Sequence, residues 1–146
     1  MSEFVDKVYV YITHGDRLLV FTQPEAPEAG VQVPGGSIDP GEAPAAAAMR
    51  EAFEETGLEN LHMVAALGEC SFDAQAFGAP LPHRRFFYHL VCKGRPPERW
   101  RHYERHRSDG IDEPIAFDLY WVALGGDGPE LVAEMGALLG RLGHYP

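Results

Sequence analysis

Residues 35–58 read GGSIDPGEAPAAAAMREAFEETGL. The double glycine Gly35-Gly36 leads through the turn residues Asp39-Pro40-Gly41 into an alanine-rich segment. Ala, Met, Glu and Arg favour helix, and nothing between Ala45 and Thr56 interrupts them, so a helix is predicted there. Pro44 suits the first turn, where its missing N–H costs nothing, and Gly57 suits the C′ position, where positive φ is favoured.

On that helix Glu51, Glu54 and Glu55 stand three and four residues apart, so their carboxylates share a face. Ala45, Ala48, Met49, Ala52 and Thr56 lie roughly opposite and are expected to pack against a sheet. Like charges at such spacings cost about 0.2–0.5 kcal/mol per pair, which a cation among them would reverse. Oxygen-only donors suit a hard ion, Mg²⁺ or Mn²⁺, better than zinc.

The stretch Gly36, x5, Glu42, x7, Arg50-Glu51-Ala52-Phe53-Glu54-Glu55-Thr56-Gly57-Leu58 resembles the Nudix box, G-x5-E-x7-R-E-U-x-E-E-x-G-U with U apolar. At ordinary residue frequencies such a match arises by chance on the order of once in a billion windows. The resemblance implies a metal-dependent hydrolase that cleaves a P–O–P bond in a nucleoside diphosphate linked to another moiety. It implies metal binding by Glu51, Glu54 and Glu55, aided by a backbone carbonyl near Gly35, with a second role as base open to Glu51. Arg50 would orient Glu54 rather than attack, and Glu42 would support the joint between loop and helix or touch the metal. The catalytic base of this family often lies outside the box, which makes Glu104 and Glu113 candidates for an extra base or ligand. Gly35 and Gly36 either bring backbone close to metal or phosphate or simply make the turn.

One domain over residues 1–146 is expected from the length. A formal net charge of −10 argues against binding a nucleic-acid polymer but leaves room for a small anionic substrate. Cys70 and Cys92 have no metal-ligand spacing and read as thiols of a reducing, cytoplasmic compartment. The amino terminus reads as neither signal peptide nor membrane span.

Lys7–Thr13 and Arg17–Thr22 are predicted to form a β-hairpin about His14-Gly15-Asp16, and residues 31–34 a short strand. Further strands are predicted at Leu61–Phe72 with a bulge near Gly68, at His83–Cys92, at Arg99–His106 and at Ile115–Leu124. A turn is expected at Ser108-Asp109-Gly110, and the apolar positions Leu131, Met135, Leu138, Leu139 and Leu142 suggest a terminal amphipathic helix. This order gives an α+β fold, in agreement with the α/β/α sandwich, mixed sheet and loop–helix–loop that the Nudix resemblance implies. Relatives of that kind are frequently homodimers, and the apolar amino-terminal hairpin is the candidate interface.

A basic run (Arg84, Arg85, Arg95, Arg99, Arg101, Arg105, Arg107) crosses the acidic chain. Arg84 and Arg85 are candidates for gripping substrate phosphate, although neighbours in a strand face opposite ways. Phe72, Phe77, Phe86, Tyr88 and Trp100 offer stacking partners for a base, with core packing as their ordinary role. The marks of ADP-ribose, dinucleoside-polyphosphate and NADH subfamilies are absent downstream of Leu58. Two rival functions are a catalytically silent nucleotide-sensing module, which should have lost some of the acids, and an isoprenoid-diphosphate isomerase. The second would need a dedicated cysteine or carboxylate for carbon protonation, with Cys70 or Cys92 as the candidate thiols.

Overall fold

The computed structural model describes residues 3–105, 113–125 and 129–143. The first hairpin comprises β1 (Val5–His14) and β2 (Arg17–Thr22), with Gly15 at φ +61 in the tight turn between them. Next come β3 (Gly35–Ser37), helix α1 (Pro44–Thr56), β4 (Leu61–Phe72) and β5 (His83–Cys92). β6 (Arg99–Glu104) and β7 (Ile115–Ala123) complete a seven-stranded sheet of order β4-β5-β1-β2-β7-β6, with β3 pairing β1. The sheet is mixed: β1 runs parallel to β5 and antiparallel to β2 and β3.

Alternation along the strands divides the core between the two faces of the sheet. On one face Val8, Val10, Ile12, Leu19, Phe21 and Leu119 pack with Ala47, Ala48 and Ala52 of α1. The small alanines let the helix lie close to the sheet. Thr56 and half-buried Met49 join this side, whereas Ala45 is exposed one turn too early to reach it. On the other face Tyr9, Tyr11, Leu18, Val20 and Phe87 pack beneath the carboxy-terminal segment.

That segment departs from the expected helix. It forms two short 3₁₀ turns, Val132–Glu134 and Leu139–Arg141, with Ala133 and Glu134 both at positive φ. Leu131, Met135, Leu138, Leu139 and Leu142 still cover the core, so the apolar pattern marks contact rather than backbone conformation. Tyr11 Oη donates to Met135 O at 2.6 Å and accepts from Leu138 N at 3.2 Å, and Arg141 donates to Leu67 O at 2.6 Å. The α+β fold with a mixed sheet is as expected, and among the described residues a tethered irregular strap stands where the terminal helix was predicted.

One further expectation is corrected. Residues 31–34 form no strand of their own beyond the isolated bridge of Gln32 to Phe21, and the strand is made by the glycines themselves as β3. β4 has register shifts between Met63 and Ala65 and between Ala66 and Gly68, in keeping with the bulge expected near Gly68, which has φ +130. The hairpin of β1 and β2 lies inside the sheet, with Val8, Val10, Tyr11, Ile12, Leu18, Leu19 and Val20 at 0% exposure. The turn expected at 108–110, Arg107 and the end of the strand reading at His106 lie outside the described residues. Among the described residues no helix is long and apolar enough to cross a membrane.

Candidate active site

A cleft of ≈ 490 Å³ opens where β3 and the start of β1 meet α1. Its polar lining includes Lys7, Ser37, Asp39, Arg50, Glu51, Glu54, Glu55 and Glu104. The helix that carries the acids is fixed at both ends. Pro44 occupies its first turn, and Gly57 at φ 75 closes it with its N–H on Phe53 O at 2.8 Å. β6 then docks on the last turn: Trp100 Nε1 donates to Thr56 O at 2.8 Å and His102 Nε2 to Glu54 O at 2.9 Å. Trp100, His102 and Glu104 alternate onto one face of β6, so this docking also brings Glu104 to the cleft.

Glu51, Glu55 and Glu104 are all buried, and each places a carboxylate oxygen within 4.8 Å of the others. Of the two acids named outside the box, Glu104 therefore joins the cluster, whereas Glu113 is exposed and does not line the cleft. Glu54 lines the cleft, but Glu104 takes the place expected for it in the three-carboxylate group.

Arg50 organises the box. Its Nε and Nη2 donate to the Glu42 carboxylate at 2.8 and 2.9 Å, and Nη1 to Glu51 at 2.9 Å and Glu54 at 3.2 Å. Nη2 also reaches Ser37 O at 3.1 Å. These five bonds match the donor capacity of a guanidinium. Glu42 accepts a further bond from Asp39 N at 3.0 Å, so it ties the loop to the helix. Arg50 and that backbone N–H hold its carboxyl down to about 2. Gly35 offers its N–H to Glu55 at 2.7 Å, rather than appearing only as a carbonyl donor for an ion.

Burial raises the Glu51 carboxyl to about 7, opposed by Arg50 and reinforced by Glu54 and Glu104. Glu55 is raised well above the ordinary carboxylate range, first by burial and then by the charge of Glu51. A set of buried, mutually repelling oxygen donors fits a hard divalent cation.

The arginine and aromatic readings are revised. Arg84 forms an exposed pair with Asp6 at 2.9 Å. Arg85 is buried on the other side of its strand, with its guanidinium 3.7 Å from the Phe72 ring and bonded to Ala133 O. Neither lines the cleft. Arg101 pairs with Asp118 at 2.7 Å, and Arg99 lies over the Tyr120 ring. Of the cleft's aromatic rings, Phe21 and Phe117 stack at 4.2 Å, and Tyr9 is the third; Phe72, Phe77, Phe86, Tyr88 and Trp100 do not line it. Lys7, Gln23 and Gln32 were not legible as site residues, because only strand register and the bridge of Gln32 to Phe21 bring them there. Cys70 and Cys92 pack into the two cores and do not line the cleft, so neither thiol is placed to protonate a substrate there.

Comparison with known proteins agrees with this architecture. The family model for the NUDIX domain matches residues 3–124. The chain belongs to the Nudix hydrolase family. Among solved structures it is similar to an Ap4A hydrolase of C. elegans, at TM-score 0.63 and 20% identity, over 94% of this chain and 95% of that one. It is also similar to a UDP-X diphosphatase at TM-score 0.63 and 17% identity, over 99% of this chain and 68% of that one. A MutT NUDIX hydrolase from Burkholderia pseudomallei aligns at TM-score 0.60 and 21% identity, over 95% and 98% of the two chains. These likenesses show a shared fold. No curated protein sequence matches the chain.

Proposed function

We propose that the chain, as a single domain over residues 1–146, is a divalent-metal-dependent hydrolase of P–O–P bonds. Its substrate would be a nucleoside diphosphate linked to another moiety, and its cofactor Mg²⁺ or Mn²⁺. The observation that carries this reading is the convergence of Glu51, Glu55 and Glu104 in one cleft, buried and with oxygens within 4.8 Å of one another. Glu51 and Glu55 would hold the ion, with Glu54 at its margin. When bound, a divalent ion neutralises phosphate oxygens and lowers the pKa of a bound water, which makes hydroxide available near neutral pH.

The remaining work falls to the chain's own groups. Arg50 fixes the carboxylates of Glu51 and Glu54, and the Gly35 N–H fixes that of Glu55. Glu104, delivered separately by β6, is the group we assign to taking the proton of the attacking water. Phe21, Val33, Ile115, Phe117 and Met135 supply apolar surface, and Gln23 and Gln32 supply amides, a combination suited to a nucleobase. Cys70 and Cys92 are free thiols, consistent with a cytoplasmic setting.

The test is chromatography of products from a panel of nucleoside diphosphate derivatives incubated with the protein and Mg²⁺. Cleavage between phosphates, abolished by Glu55→Gln, is expected. Stoichiometric Mn²⁺ and nucleotide binding without any cleavage would replace the hydrolase by the sensing module.

A further inference from the structure

The cleft has two lining cations, Lys7 and Arg50, and they are in different situations. Arg50 commits all its donors to Glu42, Glu51, Glu54 and the Ser37 carbonyl. It can reach an incoming oxyanion only by releasing a box carboxylate. Lys7 donates to Ser37 Oγ at 2.8 Å and forms no ion pair among the described residues. An ammonium has three donors, so two remain for a ligand.

Register explains how Lys7 is held there. It stands opposite Ser37 on β3, one pair away from Gly36, whose α-carbon lies against Glu51. It also stands opposite Arg85 on the parallel neighbour β5. Arg85 is 3% exposed, its Nε has no partner, and its guanidinium lies 4.7 Å from the ring of Tyr9, which lines the cleft. No carboxylate pairs with Arg85 among the described residues. Lys7 and Arg85 thus lie side by side on one face of the sheet, while α1 brings the carboxylates of Glu51, Glu54 and Glu55 to the same cleft.

We propose that Lys7 binds a second phosphoryl group of the substrate, one that the Glu51–Glu55–Glu104 cluster does not address. The assignment rests on the phosphohydrolase reading of the cleft and adds to it. A ligand carrying two bridged phosphorus centres spans both poles, whereas a monophosphate satisfies only one. Lys7 then discriminates by the number of phosphoryl groups rather than by the base. Ser37, which fixes the ammonium through its hydroxyl, is a positioning residue for it.

The experiment is calorimetric titration of the full chain, with Mn²⁺ present, using methylenediphosphonate, which cannot be hydrolysed, and methylphosphonate as its one-centre counterpart. Wild type should bind the diphosphonate more tightly than the monophosphonate. Lys7→Gln should weaken the diphosphonate about 10- to 100-fold, the range for a lost charge-assisted bond. Monophosphonate affinity and Mn²⁺ affinity, the latter read by electron paramagnetic resonance, should change less than about twofold, with Lys7→Arg restoring part of the loss. Ser37→Ala, which leaves the strand pairing in place, should produce a smaller loss in the same direction and guards against misfolding of the lysine variant. Equal weakening of both ligands, an unchanged diphosphonate, no preference in wild type, or a parallel loss of Mn²⁺ would each overturn the assignment. Its fate is separable from that of the hydrolase reading: a chain that cleaves nothing but keeps the lysine-dependent preference retains this site.

Discussion

The α-carbon of Gly36 rests against the carboxylate of Glu51, so that a Cβ there would lie 2.5 Å from Glu51 Oε1 and 2.6 Å from Oε2. β3 is held by its ladder to β1, and the side chain has to give way instead. Gly36→Ala should therefore swing Glu51 out of the cluster with little harm to the fold. Turnover is expected to fall at least about 100-fold with a small change in melting temperature, in line with the cost of displacing a catalytic group. Gly35→Ala is the contrast, since its Cβ would meet the Val8 carbonyl and the Tyr9 ring. That change should lower the melting temperature clearly. Parallel kinetics and thermal melts check the pair, and an equal loss of stability in both variants would contradict it.

The raised carboxyls set a pH dependence for the metal-free protein. Glu51 ionises at about 7 when folded but near 4.5 when unfolded, so between those values the folded state holds the extra proton. Stability then falls as pH rises through that window, and the shift of Glu55 carries the fall further upward. Added Mg²⁺ or Mn²⁺ should reverse the trend, because ion binding displaces protons and tightens with pH. Glu55→Gln should flatten the metal-free profile, raise the melting temperature at neutral pH and abolish ion stabilisation. Melts across pH with and without Mn²⁺ read all three effects; a metal-free protein that gains stability across the window would reverse the sign.

Glu104 and Glu113 should behave differently although the sequence presents them alike. Glu104→Gln is expected to lower kcat about 10²- to 10⁴-fold, the range for loss of a general base, while Glu113→Gln stays within about twofold of wild type. Full turnover in Glu104→Gln would remove it from the mechanism.

The sequence disclosed the box because its chemistry is local. Arg50, Glu51, Glu54 and Glu55 are set by helical spacing, and Glu42 reaches Arg50 through one turn. What it hid depends on strand register. Arg84 and Arg85 face opposite ways by strand alternation, but only pairing with β1 shows that one lies beside Asp6 and the other is buried. Lys7 was an unremarked polar residue in an apolar run until its pairing with Ser37 put it in the cleft. The terminal stripe misled for another reason. Gly136 and Gly140 each cost a helix about 1 kcal/mol relative to alanine. The segment instead bends through Ala133 and Glu134 and is held by side-chain bonds between it and the sheet.

That strap gives a final prediction, because Met135, which it carries, is also a wall of the cleft. The Tyr11 hydroxyl serves Met135 O and Leu138 N from a side chain that is 0% exposed. Tyr11→Phe keeps the ring and its contact with Phe87 but leaves both backbone groups without that partner. The expected cost is about 1–3 kcal/mol, the penalty for buried polar groups left unsatisfied. Denaturant unfolding measures it. Because the acid cluster is built on α1 and β6, on the other face of the sheet, Mn²⁺ affinity should be unchanged while KM for a nucleotide substrate rises. Loss of ion binding in step with stability would mean that the strap and the acid cluster unfold as one unit.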